Sequence, residues 1–178
     1  MSELATKIVA LHDALRRKEL SHAFGGALAL AWCTERARAT IDIDVNIFVP
    51  KSRASDVVAA MPKGISVSKK QYSDLQKEGQ VRIWWDKTPV DIFLNTTELH
   101  ETMVTRSKTE RFFERDIPFL CCSDLAVFKA FFNRTKDWAD LEEMLHAGTI
   151  DVATLTTTLS RYLGADDERV DKLLELIR

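Results

Sequence analysis

A chain of 178 residues is long enough for one domain, or for a domain with a small helical appendage. Its 46% hydrophobic and 29% charged content is ordinary for a globular protein, and a net charge of −2 excludes any global electrostatic case for nucleic-acid binding. Three cysteines, two of them adjacent (Cys33, Cys121, Cys122), have neither zinc spacing nor the even count of a disulfide framework, and read as buried thiols. No apolar run approaches the roughly 20 residues of a membrane span. The chain starts directly with an amphipathic pattern, so the expected location is the cytoplasm, with no membrane partner.

Ser2 to Leu20 reads as a helix, with Leu4, Ile8, Leu11 and Leu15 on one stripe and Lys7, Asp13, Arg16 and Arg17 off it. Ser21 to Phe24 reads as a short strand, and His22 there reads as structural or exposed. Gly25 and Gly26 follow. They leave little side chain in the way of a ligand, and the next turn's N–H groups lack intrahelical partners, which suits a phosphate. Ala27 to Thr34 is a helix packing through Leu28, Ala31 and Trp32. A charged connection leads to Ile41-Asp42-Ile43-Asp44-Val45, which alternates with period two. In a strand Asp42 and Asp44 share one face, and Ile41, Ile43 and Val45 the other. Two such close like charges repel, and a hard divalent ion such as Mg²⁺ neutralises them through oxygen ligands.

Val49 ends that strand at Pro50. Lys51 to Met61 reads as a helix, Ile65 to Lys70 as a strand and Tyr72 to Gln80 as a loop. Val81 to Trp85 and Val90 to Leu94 read as a hairpin turning at Asp86 to Pro89. Asp91 interrupts the second apolar strand, an expensive place for an acid that is neither paired nor metal-bound. Glu98 to Ser107 is a short helix, Lys108 to Arg115 a strand or extended edge and Ile117 to Cys122 a short apolar strand or entry segment. From Asp124 the chain is helical to its end, with stops at Gly148 and Gly164. Lys129 stands among Phe128, Ala130, Phe131 and Phe132, so it either snorkels outward or meets an anion. Asp137 and Asp140 share a helix face, and with Lys129 and Lys136 they also read as solvated pairs. There is no internal repeat.

The series Gly-Gly, Asp-x-Asp on a strand and a lone Asp on a later strand resembles the polymerase-β-like nucleotidyltransferase superfamily. The wording GGALAL…RATIDIDV most resembles its minimal and abortive-infection type IV toxin branch. Asp124-Leu-Ala-Val-Phe-Lys129 followed by Arg134-Thr-Lys136-Asp137 resembles that branch's later motifs. The resemblance implies an α/β (α+β) fold, a mixed β-sheet with flanking helices followed by a C-terminal helical bundle, here 1–122 and 123–178. It implies Mg²⁺-dependent transfer of a nucleoside monophosphate from a nucleoside triphosphate (NTP) to an acceptor hydroxyl.

By that resemblance Asp42, Asp44 and Asp91 are catalytic and hold two Mg²⁺ ions, with Asp91 also the general base. Gly25, Gly26, Arg38, Thr40, Lys129, Lys136 and Asp137 bind the nucleotide. Asp137 either orients Lys129 or touches the nucleotide, and Arg38 either touches the triphosphate or fixes its loop by a salt bridge. A serine often follows the first glycine in the superfamily; here Gly26 takes its place, and backbone N–H groups must hold the phosphate. A tRNA end, a protein hydroxyl and a small molecule such as an aminoglycoside all fit as acceptor. Arg106, Lys108, Arg111 and Arg115 either steer an RNA backbone or form a solvated face. An antitoxin is the partner implied for a toxin. The alternative is a non-catalytic module of the same fold that senses nucleotide or pairs with a partner protein.

Overall fold

The computed structural model describes residues 2–36 and 39–176, which divide into two compact units. The first comprises residues up to Leu28 together with Ala39–Leu120, and the second Ala29–Arg38 together with Cys121–Arg178.

The first unit is built on a six-stranded mixed sheet: β1 (His22–Phe24), β2 (Ile43–Pro50), β3 (Gln80–Trp85), β4 (Thr88–Asn95), β5 (Lys108–Phe112) and β6 (Arg115–Phe119). The spatial order is β3-β4-β2-β1-β6-β5. β2 runs parallel to β4, and β1 runs parallel to β6. The β1–β2, β3–β4 and β5–β6 pairs are antiparallel. Helices α1 (Glu3–Arg17), α3 (Ala54–Ala60), α4 (Lys69–Glu78) and α5 (Glu98–Arg106) flank it. The period-two pattern works as expected at the centre: Ile43, Val45, Val90, Ile92 and Ile83 are buried on one face. Ser2 caps α1 by accepting the N–H of Ala5, and Ile8, Leu11 and Leu15 are its buried stripe.

Several local readings need correction. Ile41 lies outside β2 and is 72% exposed, so it does not share the buried face of Ile43 and Val45. Lys7 is buried; its ammonium donates to Trp85 O and Thr88 Oγ1 at 3.0 Å each and to Glu3. Residues 69–78 form helix α4 where a strand end and a loop were expected. Ser68 and Gln71 make a reciprocal capping box, and Gly79 closes the helix at φ 73°. Of the expected strand at 65–70, only a bridge from Ile65 to Trp85 forms. The β3–β4 turn is Asp86-Lys87 alone, with Asp86 at φ 53°, and Thr88 and Pro89 belong to β4. Pro89 is tolerated because β2 starts its pairing with β4 only at Val90, so the missing N–H costs no ladder bond on that side.

The second unit is helical. It holds most of α2 (Gly26–Thr34), with α6 (Cys122–Phe132), α7 (Thr135–His146), α8 (Val152–Leu163) and α9 (Glu168–Glu175). α6 packs against α7, α8 and α9. Asn133, left-handed at φ 54°, ends α6; Asp151 and Asp167 cap α8 and α9. On α2 the buried residues are Ala29, Leu30, Cys33 and Thr34, while Trp32 is exposed, so the expected packing face was rotated. Cys33 and Cys122 form a disulfide with a Cα–Cα separation of 5.5 Å, correcting the reading of buried thiols. Cys121 stays a thiol and donates to Asp124 Oδ2. Among the described residues no helix is long and apolar enough to cross a membrane.

Candidate active site

The site of interest lies within the first unit, where β2 and β4 run side by side. Asp44 and Asp91 are direct partners in their parallel register, so both side chains leave the same face of the sheet. Across β4, Arg82 of β3 is the antiparallel partner of Asp91, and three strands therefore present Asp44, Asp91 and Arg82 in one row. Asp42 precedes the first residue of β2. Its backbone is held by Thr40, whose hydroxyl accepts the Asp42 N–H at 3.1 Å and lies 3.3 Å from the Asp42 carbonyl.

The glycine turn meets this row from the β1 side. Gly25 N–H donates to the Asp44 carbonyl at 2.9 Å. Gly26 is left-handed, at φ +54°, and a Cβ built there would fall inside the Asp44 carboxylate. Gly26 is thus required twice, for its backbone conformation and for the space that Asp44 occupies. Beneath the turn lies Asn46, two residues further along the same strand face. It is 3% exposed, a Cβ on Gly25 would come within 3.2 Å of its Nδ2, and its Oδ1 has no hydrogen-bond partner among the described residues.

Arg82 dominates the electrostatics. Its Nε donates to Asp91 Oδ1 at 2.8 Å and its Nη2 to Asp91 Oδ2 at 2.6 Å, a two-pronged pair. The same Nη2 is 3.5 Å from Asp42 Oδ2. The hydrogen bonds to Asp91, with the charges of Asp91, Asp42 and Asp44, hold the guanidinium proton even more firmly than usual. Among the described residues no three His, Cys, Asp or Glu side chains close into a metal cage as the molecule stands. The donor chemistry nevertheless fits a hard divalent ion, since carboxylate oxygens of Asp42 and Asp91 already converge on one cationic nitrogen.

The structure therefore brings Gly25, Gly26, Thr40, Asp42, Asp44 and Asp91 into one neighbourhood. Arg38 lies outside the described residues. Lys129, Lys136 and Asp137 belong to the second unit, where Lys129 is buried. Its ammonium donates to Asp140 Oδ2 and sits 3.9 Å from Asp137 Oδ1. Asp137 is 1% exposed, accepts the Arg134 N–H at the start of α7 and pairs with the Arg134 guanidinium. Lys136 is exposed. In the basic cluster Arg111 pairs with Asp116 and Arg115 with Asp13, so part of its charge is already spent within the fold. Arg82 and Asn46 were missed by the sequence reading. Asn46 was within reach of it, because the period that aligns Asp42 and Asp44 continues to position 46.

No protein-family model matches the chain, and no curated protein does. Solved structures do. The solution structure of the antibiotic-resistance factor ANT(2'')-Ia is similar over 98% of this chain and 90% of its own, with TM-score 0.59 and 15% identity. A crystal structure of ANT(2'')-Ia with adenylyl-2''-tobramycin aligns over 99% and 98%, with TM-score 0.55 and 13% identity. An antigenic nucleotidyltransferase-like protein from Paracoccidioides brasiliensis aligns over 96% and 93%, with TM-score 0.58 and 11% identity. The fold is that of nucleotidyltransferases. At these identities the likeness concerns the fold alone.

Proposed function

We propose that this chain transfers a nucleoside monophosphate from an NTP to a hydroxyl group of an acceptor, the new oxygen–phosphorus bond at the α-phosphorus replacing the bond to pyrophosphate, which leaves. The observation that carries the reading is the meeting of Asp42, Asp44 and Asp91 with the Gly25-Gly26 turn at one place on the sheet. A nucleotidyltransferase fold around that place supports it. The carboxylates of Asp42, Asp44 and Asp91 would hold the divalent metal, which when bound supplies charge neutralisation at the triphosphate and acidifies the acceptor hydroxyl.

The chain's own residues do the rest. Gly25 and Gly26 present no side chain, so a phosphate approaches the backbone and meets the N–H groups that open α2. Asp44 is fixed through its backbone by Gly25 and through its carboxylate's position against Gly26, which sets where the triphosphate and the acids face each other. Asp91, on a buried central strand, is the residue that takes the acceptor proton once Arg82 releases it. Positioning and charge neutralisation supply most of the rate gain.

The acceptor proposed first is a small polyhydroxylated molecule of the aminoglycoside kind, the class carried as adenylylated product by one structural neighbour. A tRNA end or a protein hydroxyl, with an antitoxin as partner, follows from the toxin-branch resemblance and forms the other arm of the test. The experiment is incubation with each α-³²P-labelled NTP and Mg²⁺, with aminoglycosides, total RNA or lysate protein as acceptor. Label in the small-molecule fraction is the expected result; label in RNA or protein moves the chain to the toxin-like reading.

A second reading has one observation in its favour. Arg82 already neutralises Asp91 and lies against Asp42, as in a nucleotide-sensing module that no longer turns over. NTP binding without Mg²⁺-dependent label transfer to any acceptor is its signature.

A further inference from the structure

We propose that Arg82 is the resident counter-cation of the acid site, and that a divalent metal enters only when this side chain leaves. Metal binding and nucleotide binding are then coupled through one residue. The inference rests on the nucleotidyltransferase reading above and adds to it a residue whose sequence context, Val81-Arg82-Ile83, gave no sign of a role.

Four observations carry it. The register places Arg82 directly opposite Asp91 on the carboxylate face of the sheet. One nitrogen, Nη2, is shared by Asp91 Oδ2 at 2.6 Å and Asp42 Oδ2 at 3.5 Å. A point reached by carboxylate oxygens of both residues is where a cation common to them belongs, and the guanidinium now holds it. It cannot share that point with a divalent ion, because the two cations repel and compete for the same oxygens.

The third observation is freedom to move. β3 is the terminal strand of the sheet and the Arg82 side chain is 51% exposed, so the guanidinium can swing into solvent without opening the core. The backbone stays in place meanwhile: the Arg82 carbonyl accepts from Gln71 Nε2 at 3.0 Å and the β3–β4 ladder is continuous. The fourth is chemical. An arginine fork that pairs two-pronged with a carboxylate pairs equally well with a phosphate. An arriving triphosphate therefore offers Arg82 a new anion as it brings its metal to the old one.

A purely structural salt bridge, half exposed, would contribute little to stability and would not govern metal affinity. Mn²⁺ affinity separates the two, measured on the full chain by electron paramagnetic resonance of free Mn²⁺, with and without a non-hydrolysable NTP analogue. The variants are Arg82→Gln, Arg82→Lys and Asp44→Asn, each checked for an unchanged thermal melt.

Without nucleotide, Arg82→Gln is expected to bind Mn²⁺ at least about tenfold more tightly than the unaltered protein, Arg82→Lys by an intermediate factor, and the gap to close with the analogue present. Equal affinity in all three, with Asp44→Asn binding more weakly, overturns the role of Arg82 and leaves the metal-site reading standing. No Mn²⁺ binding by any form, with or without the analogue, overturns both.

Discussion

At the scale of single residues, Gly26 carries the sharpest consequence. Alanine there meets a left-handed backbone, which costs about 1 kcal/mol or more, and its Cβ must displace the Asp44 carboxylate. Gly26→Ala is therefore expected to lower label transfer by about a hundredfold or more while lowering the urea midpoint only modestly. Comparable losses in a Gly64→Ala control, remote from the acids along the chain and also at positive φ, would show that backbone strain alone is responsible.

Lys129 makes the opposite point. Its ammonium is buried against Asp140 and near Asp137, so Asp140→Ala strands a charge and is expected to cost about 3 kcal/mol in denaturant titration. If instead Asp140→Ala folds with unchanged stability, the pair is not the structural ion pair described here. The pattern of acids at 42, 44 and 91 was readable because period two and an acid in an apolar strand are strong local signals. The surroundings of Lys129 were not, because a lysine among phenylalanines looks the same whether it faces a ligand or a buried aspartate.

At the scale of elements, most helices and strands were visible in the spacing of apolar residues, and the failures have particular causes. The missed Arg82 is a register error. A four-residue turn at Asp86 to Pro89 pairs Trp85 with Val90 and so puts Trp84 opposite Asp91; the real two-residue turn pairs Trp85 with Thr88 and brings Arg82 there. α4 was missed because only Leu75 of its residues is buried, so its evidence lies in the Ser68–Gln71 capping box and not in periodicity.

Between α1 and β1 the imidazoles of His12 and His22 share a hydrogen bond of 2.9 Å, Nδ1 to Nε2. His22 Nδ1 donates to the Leu20 carbonyl at 2.8 Å, so its Nε2 must accept and His12 Nδ1 must donate. Burial is the main cause pushing the His22 pKa from 6.5 down to about 4, and burial also lowers that of His12. The unfolded chain thus takes up a proton near pH 6.5 that the folded chain refuses until near pH 4. Stability is full above about pH 6.5 and is lost as pH falls toward 4, by about 3 kcal/mol from His22. Urea midpoints across that range should fall less steeply in His22→Asn; an equally steep profile would contradict the assignment.

At the scale of the whole molecule, the fold class was legible and the covalent topology was not. The Cys33–Cys122 bond joins residues 89 apart in sequence, and three cysteines admit several pairings, none favoured by spacing. A loop of that length corresponds to about 4–5 kcal/mol in the chain-entropy model, so reduction should shift the denaturation midpoint down clearly, and an unchanged midpoint would mean that the bond contributes nothing. Such bonds persist in oxidising surroundings and are rare in the cytosol, which sets the disulfide against the location expected from sequence.

The central claim is that Asp42, Asp44 and Asp91 act together beside the Gly25-Gly26 turn in nucleotidyl transfer. It is tested most directly by Mg²⁺-dependent transfer of label from α-³²P-NTP in the unaltered chain and in Asp42→Asn and Asp44→Asn. Transfer is expected in the first, and at least a thousandfold loss, on the order expected for removed transition-state charge stabilisation, in both variants with the thermal melt retained. Full transfer in either variant, or none in the unaltered chain with any NTP and acceptor class, would contradict it.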